Sequence, residues 1–446
     1  MQSLEGIEGF ERETFESVHA SGHQITSIRI NPVKRFENQN LKFEFSTIPW
    51  TQYGFYLAER PSFTFDPLFH AGCYYVQEAS SMFLEQALKQ TVDLSQPLRI
   101  LDLSAAPGGK STHIQSLISK DSLLVSIDVI RSRANTLKDN IIKWGAGNVV
   151  VTHNDPKDLG KLENYFDVIV VDAPCSGSGL FRREPGAMDE WSENNVSLCS
   201  QRQQRILADV FPSLKKDGIL IYSTCSYSKE EDEEIAEWLI KTLQVSYCPL
   251  FIDKAWNITA SGNGYRFWPD KVKGEGFFIA CFKKAGSDAG IDNSTRSKPQ
   301  PVTNKEKEII ENWVKVTDHR LIKNENTVYA WPQALVNDMN FILTRLRVIY
   351  SGVRAGELMK DKLIPDHALA ISKIVNDSIG KTELNYEQAI QYLQRKEIKI
   401  DTIGKGWQLV NYEGYALGWV NVLPNRINNY YPKELRILKD IKSPPL

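Results

Sequence analysis

The 446-residue sequence lacks several features that mark whole classes of protein. Its six cysteines are scattered, none forms C-x-x-C, and no nearby histidines complete a zinc pattern. No apolar run is long enough to span a membrane, and the opening "MQSLEGIEGFERETFE" is polar and acidic, unlike a secretory signal. These absences predict a metal-free, non-membrane protein with free thiols in a reducing cytoplasm.

Two further absences concern charge and nucleotide binding. The formal net charge is only −2, which argues against a globally basic binder of nucleic acid but leaves room for a local basic groove. The chain contains neither G-x-G-x-x-G after its first buried strand nor the Walker A spacing. The dinucleotide and nucleoside-triphosphate fingerprints are therefore not met.

Short apolar runs alternate with helical patterns between residues 96 and 285. The runs are "LRILDLS", "LLVSIDV", "NVVVTHND", "FDVIVVDAP" and "GILIYSTCS". Continuous apolar runs of this length are typical of strands buried on both faces, and the helices between them indicate a parallel, doubly wound α/β sheet. We expect an N-terminal α+β domain at 1–95, this sheet domain at 96–285, and a polar linker at 286–300.

The turn after the first of these strands, "LDLSAAPGGKSTHI", is rich in small residues that let the backbone approach a ligand closely. The next three strands end in Asp128, Asp155 and Asp172, and strand ends of such a sheet face one crevice. Each acid alone can be a helix N-cap or a solvated loop charge. Together they indicate an adenosine-containing cofactor without a pyrophosphate, a description that S-adenosylmethionine satisfies.

Two cysteines follow neighbouring strands, Cys175 after the fourth and Cys225 after the fifth. Methylation of cytosine at C5 needs a thiolate that adds to C6, together with acid–base assistance. Asp172 is placed to stabilise the adduct near N3 of the base. Cationic groups can lower a thiol pKa, and the candidates are Lys110, Arg182 and Arg183. The alternative for either cysteine is a buried structural thiol, which we favour for Cys73, Cys199, Cys248 and Cys281.

Three stretches, "LDLSAAPGGKS", "DAPCSGSGLFRREP" and "STCSYSKEEDEE", resemble the motifs of the Sun/RsmF family of RNA 5-methylcytosine methyltransferases. Upstream, "RINPVK" resembles the family's R-x-N-x-x-K signature and "AGCYYVQEASSM" the segment that leads into the catalytic domain. The C-terminal "NYEGYALGWVNVLPNRINNYYPKELR" resembles the PUA-like module of the bacterial RsmF-type branch. The resemblance implies a Rossmann-like methyltransferase sheet, an accessory domain at 301–383, a PUA-like RNA-binding domain at 384–446, and an RNA-binding or accessory role for 1–95.

The resemblance also implies residue roles. Cys225 is the expected nucleophile, Cys175 assists product release, and Lys110 and Asp172 complete the catalytic set. S-adenosylmethionine is the expected cofactor. Its expected contacts are Ala105, Ala106, Pro107, Gly108, Gly109, Lys110, Ser111, Asp128, Arg133, Asp155 and Asp172. Ser104 and Ser111 replace the family's frequent Cys and Thr without changing the glycine turn.

Several alternatives remain open for the substrate and the activity. The expected substrate is small-subunit (16S) ribosomal RNA, acted on by a monomer, with transfer RNA as the alternative. A DNA cytosine-C5 methyltransferase would use Cys175 as the nucleophile, but the thiol in "STCS" and the RNA-type flanking motifs argue against it. A nicotinamide dehydrogenase would share the fold, but its glycine fingerprint is missing. A non-catalytic RNA-binding ribosome-assembly factor would tolerate loss of Cys225, Asp172 or the glycines, all of which are present. Residues 384–446 carry nine Lys and Arg against six Asp and Glu, which suits phosphate contacts.

Overall fold

The computed structural model describes residues 2–286, 299–399 and 404–440, which form four β-sheets with flanking helices. Most of the predicted linker at 286–300 lies outside the described residues. Within the described ranges, no helix combines the length and apolar character that crossing a bilayer requires.

The N-terminal domain is a four-stranded antiparallel sheet of order β2-β3-β1-β4 with short helices around it. Its two middle strands, β1 and β3, are buried at every residue. The elements are α1 (Arg12–Ala20), β1 (Thr26–Ile30), β2 (Phe45–Thr47), β3 (Gly54–Leu57), α2 (Pro67–His70), β4 (Tyr74–Val76) and α3 (Leu84–Thr91).

The next domain contains the predicted doubly wound sheet. Its strands are β5 (Arg99–Leu103), β6 (Leu123–Ile127), β7 (Val149–Thr152), β8 (Phe166–Asp172), β9 (Leu214–Thr224), β10 (Val245–Tyr247), β11 (Thr259–Ser261), β12 (Gly264–Phe267) and β13 (Phe277–Lys284). Its helices are α4 (Gly109–Leu117), α5 (Arg131–Trp144), α6 (Pro156–Gly160), α7 (Ala187–Glu190), α8 (Glu193–Val210) and α9 (Glu233–Leu243).

The strand order of this sheet is β11-β12-β13-β9-β8-β5-β6-β7, with β5 to β9 parallel and β13 antiparallel to β9. Alternate residues of each parallel strand pack into different cores, so that Leu101 and Val150 face one side while Ile100 and Val149 face the other. Because both faces are covered, the strands are nearly continuous runs of Val, Ile and Leu. The predicted Rossmann-like fold is confirmed.

The segment predicted as an accessory domain, 301–383, is joined closely to this sheet. Its elements up to residue 371 are α10 (Asn304–Glu311), β14 (His319–Asn324), β15 (Thr327–Pro332), α11 (Val336–Leu343), β16 (Val348–Ser351), β17 (Val353–Met359), β18 (Lys362–Pro365) and α12 (His367–Ile371). Four strands form their own sheet, β14-β15-β17-β18, whereas β16 pairs antiparallel with β7 and extends the central sheet. Residues 301–383 therefore include an edge strand of the central sheet.

The last sheet has the order β19-β20-β21-β22. Its elements are β19 (Lys381–Glu383), α13 (Tyr386–Leu393), β20 (Gly406–Tyr412), β21 (Tyr415–Leu423) and β22 (Arg426–Asn429). It shares one hydrophobic core with the N-terminal domain. In that core the Phe36 and Tyr415 rings lie 5.5 Å apart, and the Tyr386 hydroxyl donates to the Phe65 carbonyl oxygen at 3.1 Å. The two ends of the chain consequently support each other.

Candidate active site

The glycine turn lies between β5 and α4, at the carboxyl edge of the central sheet. Gly108 has a φ of +117°, a region that favours glycine, and a Cβ there would come within 3.3 Å of Leu137 Cδ1. Two side chains of α5 fasten the turn from outside, because Arg133 donates to the Ala106 carbonyl at 3.0 Å and Asn140 to the Pro107 carbonyl at 2.8 Å. Arg133, expected among the cofactor contacts, therefore supports the loop itself.

The Ser111 side chain points away from the surface of this loop. Its hydroxyl is fully buried and donates to Asp102 Oδ2 at 2.5 Å. Burial raises the pKa of Asp102 to about 7, although the hydrogen bond from Ser111 counters the shift. The hydroxyl of Ser111 is thus hydrogen-bonded to Asp102 within the sheet. Only the backbone of Ser111 is left for the expected contact with the cofactor.

Asp128 follows β6 directly and is only 2% exposed. Its Oδ1 accepts from the Ile130 amide at 2.8 Å. Its Oδ2 has no hydrogen-bond donor among the described residues and lies 3.4 Å from Arg133 Nε. A buried carboxylate oxygen without a donor is costly unless a ligand supplies one, so this atom marks a binding position.

Asp155 lies three residues beyond β7 and serves as the N-cap of α6, accepting from the Lys157 amide at 3.2 Å. Asp155 therefore has the alternative role considered for it, that of a helix N-cap. Capping uses Oδ1 and does not prevent the second oxygen from facing a ligand.

The N-terminal domain supports the glycine turn through a buried arginine of β1. Arg29 donates to the Gly109 carbonyl at 3.2 Å, to Thr112 Oγ1 at 2.6 Å and to Gln77 Oε1 at 2.9 Å. Burial lowers the pKa of Arg29 to about 9, which still leaves it charged near neutrality. The R-x-N-x-x-K signature "RINPVK" thus acts in part as a support behind the loop. The sequence motif indicated that Arg29 matters, and its hydrogen bonds to the glycine turn explain why.

The two cysteines lie over the same crevice, as predicted from the strand order. Cys225 follows β9, Cys175 follows the adjacent parallel β8, and their sulfur atoms are 3.2 Å apart. The hydrogen bond with Cys225, together with burial, raises the pKa of the Cys175 thiol well above its usual range. Of the other four, Cys73, Cys199 and Cys281 are buried, and Cys248 is partly exposed.

A lysine–carboxylate pair lies beside the thiols. Lys110 Nζ is 2.8 Å from Asp172 Oδ2, and Ser223 Oγ donates to Asp172 Oδ1 at 2.9 Å. Burial would lower the pKa of Lys110, but Asp172, Asp102 and the nearby Cys225 raise it above its ordinary value. Lys110 is therefore a cation at neutral pH and lies near Cys225. Arg182, another predicted neighbour of the thiols, instead forms a buried pair with Glu275 at 3.0 Å.

The acidic run after Cys225 is largely buried, which the sequence did not reveal. Glu231, Asp232 and Glu233 are at most 6% exposed. Arg266 of β12 pairs with Glu233 at 2.6 Å and with Asp232 at 3.1 Å. Arg266 thus neutralises part of the acidic run and fixes the beginning of α9 behind the loop that carries Cys225.

The residues at this edge of the sheet fit S-adenosylmethionine. Asp128 Oδ2, which accepts no hydrogen bond from the described residues, suits the hydroxyls of a ribose. The exposed apolar side chains of Val129 and Ile130 come next, suited to a flat ring. The same edge carries the cysteines, so methyl donor and nucleophile would meet there.

Comparison with protein families places three matches along the chain. Residues 89–283 match the family described as 16S rRNA methyltransferase RsmB/F. Residues 1–79 match the N-terminal domain of 16S rRNA methyltransferase RsmF, and residues 380–437 match the methyltransferase RsmF PUA domain. The PUA match includes β19, so it begins slightly before the boundary predicted at residue 384.

Individual proteins agree with these matches. The ribosomal RNA small subunit methyltransferase F of Psychromonas ingrahamii is 32% identical over 442 residues, covering 92% of this chain and 90% of the relative. That of Aliivibrio fischeri is 30% identical over 435 residues with the same coverage. A methyltransferase homologue from Pyrococcus horikoshii superposes with a TM-score of 0.54 at 29% identity, covering 64% of this chain and 93% of its own. The chain therefore belongs to the RsmF-type branch of the 16S rRNA methyltransferase RsmB/F family.

Proposed function

We propose that the protein is an S-adenosylmethionine-dependent methyltransferase that modifies C5 of a cytosine in small-subunit ribosomal RNA, with Cys225 as the nucleophile. The observation that carries this proposal is the pair of thiols 3.2 Å apart at the ends of two adjacent parallel strands, beside the partly buried Lys110. The names of the relatives support ribosomal RNA as the substrate.

The turn from Ala105 to Lys110 and the carboxylates that follow β6 and β7 would hold the cofactor. When bound, it supplies an electrophilic methyl group directed at C5 of the base. Arg29 and Arg133 keep the turn in place from its two sides. The protein's contribution at this step is orientation, because a methyl group and a base carbon react only when they are aligned within van der Waals contact.

Cys225 begins the reaction by adding as a thiolate to C6 of the cytosine. A new sulfur–carbon bond forms, the C5–C6 π bond opens, and its electron pair increases the nucleophilicity of C5. Negative charge spreads toward N3 and O2, where the Lys110 ammonium can stabilise it and Asp172 can hold a proton at N3. Fixed charges in a site of low dielectric stabilise such a developing charge effectively. The cytosine must leave its stack to reach this position.

Release of the product reverses the addition. A base removes the proton on C5, the C5–C6 double bond re-forms, and the Cys225 sulfur departs with its electron pair. Cys175, whose pKa is raised, retains its S–H and donates a hydrogen bond to the departing thiolate at 3.2 Å. This role makes Cys175 a release residue and Cys225 the attacking one, the reverse of what DNA-type chemistry would require.

The PUA-like domain is proposed to bind the RNA outside the catalytic crevice. A surface depression of about 710 Å³ lies between α13 and β22. Arg426 and Lys433 are exposed on it beside the exposed Tyr430. Cations attract phosphates, and an exposed ring can stack on an unpaired base.

Bisulfite sequencing tests the substrate directly. Total RNA from cells without the gene should lose protection at one or more cytosines of small-subunit ribosomal RNA, and the wild-type gene but not Cys225→Ala should restore it. If the change is confined to transfer RNA, the ribosomal substrate is wrong. If the Cys225→Ala gene restores protection, the assignment of the nucleophile is wrong.

A further inference from the structure

One buried carboxylate connects the two cysteine loops. Glu231 Oε1 accepts from the Ser176 amide at 2.8 Å, and Oε2 accepts from Ser176 Oγ at 2.5 Å and from Ser226 Oγ at 2.7 Å. Ser176 directly follows Cys175, and Ser226 directly follows Cys225. Glu231 is thus bonded to the residue next to each thiol while touching neither sulfur.

The position of this carboxylate is fixed from behind. Glu231 is fully buried at the end of a 3₁₀ turn, Lys229–Glu231, and its carbonyl accepts from the Tyr222 hydroxyl at 2.5 Å. Gln203 donates to Glu231 Oε1 at 3.2 Å and also to the Pro174 carbonyl at 3.1 Å. The backbone on both sides of Cys175 is therefore held, directly or through Gln203, by Glu231.

The Cys225 loop has supports that do not involve Glu231. The Cys225 carbonyl accepts from the Gly179 amide at 2.8 Å, and the next residues are held by the Tyr227 amide bond to Ser178 Oγ, also at 2.8 Å. Thr224, just before the cysteine, donates to Asp232 at 2.5 Å. Loss of the carboxylate should therefore displace Cys175 more than Cys225.

We infer that Glu231 is a positioning residue that holds Cys175 beside the Cys225 sulfur for the release step. The inference rests on the proposed function, in which Cys225 attacks the base and Cys175 assists its release. Glu231 therefore acts only in the release of the product and not in the attack on the base. Attack on C6 and methylation of C5 continue without it, and departure of the product becomes slow.

The test uses the full-length protein, S-adenosylmethionine and small ribosomal subunits from cells that lack the gene. Covalent RNA–protein complexes are separated on a denaturing gel. Wild type should give little complex and Cys175→Ala a strong band. Glu231→Gln, which keeps the size of the side chain but removes its negative charge and so weakens its bonds to the Ser176 amide and the two serine hydroxyls, should give a band at least five-fold above wild type although both cysteines are present. Its multiple-turnover rate should fall about ten-fold or more.

A matched control is Glu233→Gln. Glu233 is buried two residues further along the chain and bonds Arg266 and Ser261, but touches neither cysteine loop. This variant should melt earlier and give a wild-type band. A role of Glu231 in stability alone would make the two variants behave alike, so equal bands would overturn the inference.

Ser176→Ala provides a second variant if Glu231→Gln does not fold. It removes one donor to Glu231 and should give a band between those of wild type and Cys175→Ala. A wild-type band for whichever variant folds, alongside a strong Cys175→Ala band, overturns the inference and leaves the proposed function intact. A folded Glu231→Gln protein that yields neither methyl product nor band also overturns it, because Cys225 would then be the thiol that Glu231 positions. Absence of a band in Cys175→Ala itself would instead contradict the proposed function.

Discussion

Replacement of Asp128 by asparagine separates cofactor binding from folding. The Asp128 side chain has two distinct oxygens, because Oδ1 accepts from the Ile130 amide while Oδ2 has no donor among the described residues. Asparagine can keep its carbonyl on the Ile130 amide and so preserve the beginning of α5. The substitution changes the atom that faces the ligand and removes the negative charge, and with it the ion pair to Arg133 Nε 3.4 Å away. Arg133 keeps its separate bond to the Ala106 carbonyl through Nη2.

The expected loss follows from the chemistry of that atom. A hydrogen bond to a charged group contributes roughly 1.5–3 kcal/mol, and a neutral one about half as much. Because asparagine can retain a weaker contact with a ribose hydroxyl, the net cost is about 1–2 kcal/mol. That free energy corresponds to an increase of about 5- to 30-fold in the Kd for S-adenosylmethionine.

Isothermal titration with S-adenosylmethionine measures this change, and thermal unfolding without ligand confirms that the fold is preserved. Asp253→Asn is a suitable control, because Asp253 makes the same type of local contact, accepting from the Ala255 amide at 2.9 Å, before a 3₁₀ turn at Lys254–Trp256. Its Kd should equal that of wild type. An Asp128→Asn protein that melts normally and binds the cofactor with wild-type affinity would refute the proposed binding position.

Three other changes have defined outcomes. Arg426→Gln and Lys433→Gln should each weaken binding to RNA of any sequence and reduce the slope of log K against log salt concentration by about one. Filter binding at several salt concentrations measures this slope, and an unchanged slope would show that these side chains do not contact the RNA. Gly179→Ala should abolish methylation while S-adenosylmethionine still binds, because its Cβ would lie 2.5 Å from the Cys225 carbonyl oxygen; normal activity would show that the cysteine loop can shift at no cost. Burial lowers the pKa of three histidines to about 4 or below, and these are His70, His113 and His367. Since the unfolded chain takes up their protons below about pH 6.5, whereas the raised pKa of Asp102 acts in the opposite sense in both proteins, the free energy of unfolding of wild type should fall relative to that of His70→Gln between pH 6.5 and about 4, by at most about 1.4 kcal/mol per pH unit, and an equal pH dependence of the two proteins in chemical denaturation would contradict it.

The RNA-binding role of the last domain is better tested by these surface substitutions than by truncation. The last sheet and the N-terminal domain share a hydrophobic core in which Val410 and Leu417 pack with Ile28 and Phe55. Removal of residues 384–446 would expose that core and also disturb β1, which carries Arg29. Loss of RNA affinity in a truncated protein would therefore have two explanations.

The central sheet and the placement of both cysteines were predictable from local sequence signals. Runs of Val, Ile and Leu mark strands buried on both faces, and the order of a doubly wound sheet brings successive strand ends to one edge. Asp128, Asp172, Cys175 and Cys225 each follow such a run closely. The strand order alone therefore predicts that these four side chains lie together at one edge of the sheet.

The supports around the site were not predictable in the same way, because they depend on partners distant in sequence. Glu231 and Glu233 belong to a run that reads as a solvated helix face, and only Arg266 and the two cysteine loops explain their burial. Arg29 reaches the glycine turn from another domain. The pairing of β16 with β7 likewise joins strands about 200 residues apart, and no local pattern encodes such a contact.

The central claim is that Cys225 attacks the base and Cys175 assists its release. Peptide mapping by mass spectrometry of the covalent complex formed by Cys175→Ala tests this claim most directly. The RNA-derived nucleotide should be attached to the peptide that contains Cys225, and Cys225→Ala should form no complex. A complex formed by Cys225→Ala, with the nucleotide attached to Cys175, would contradict it.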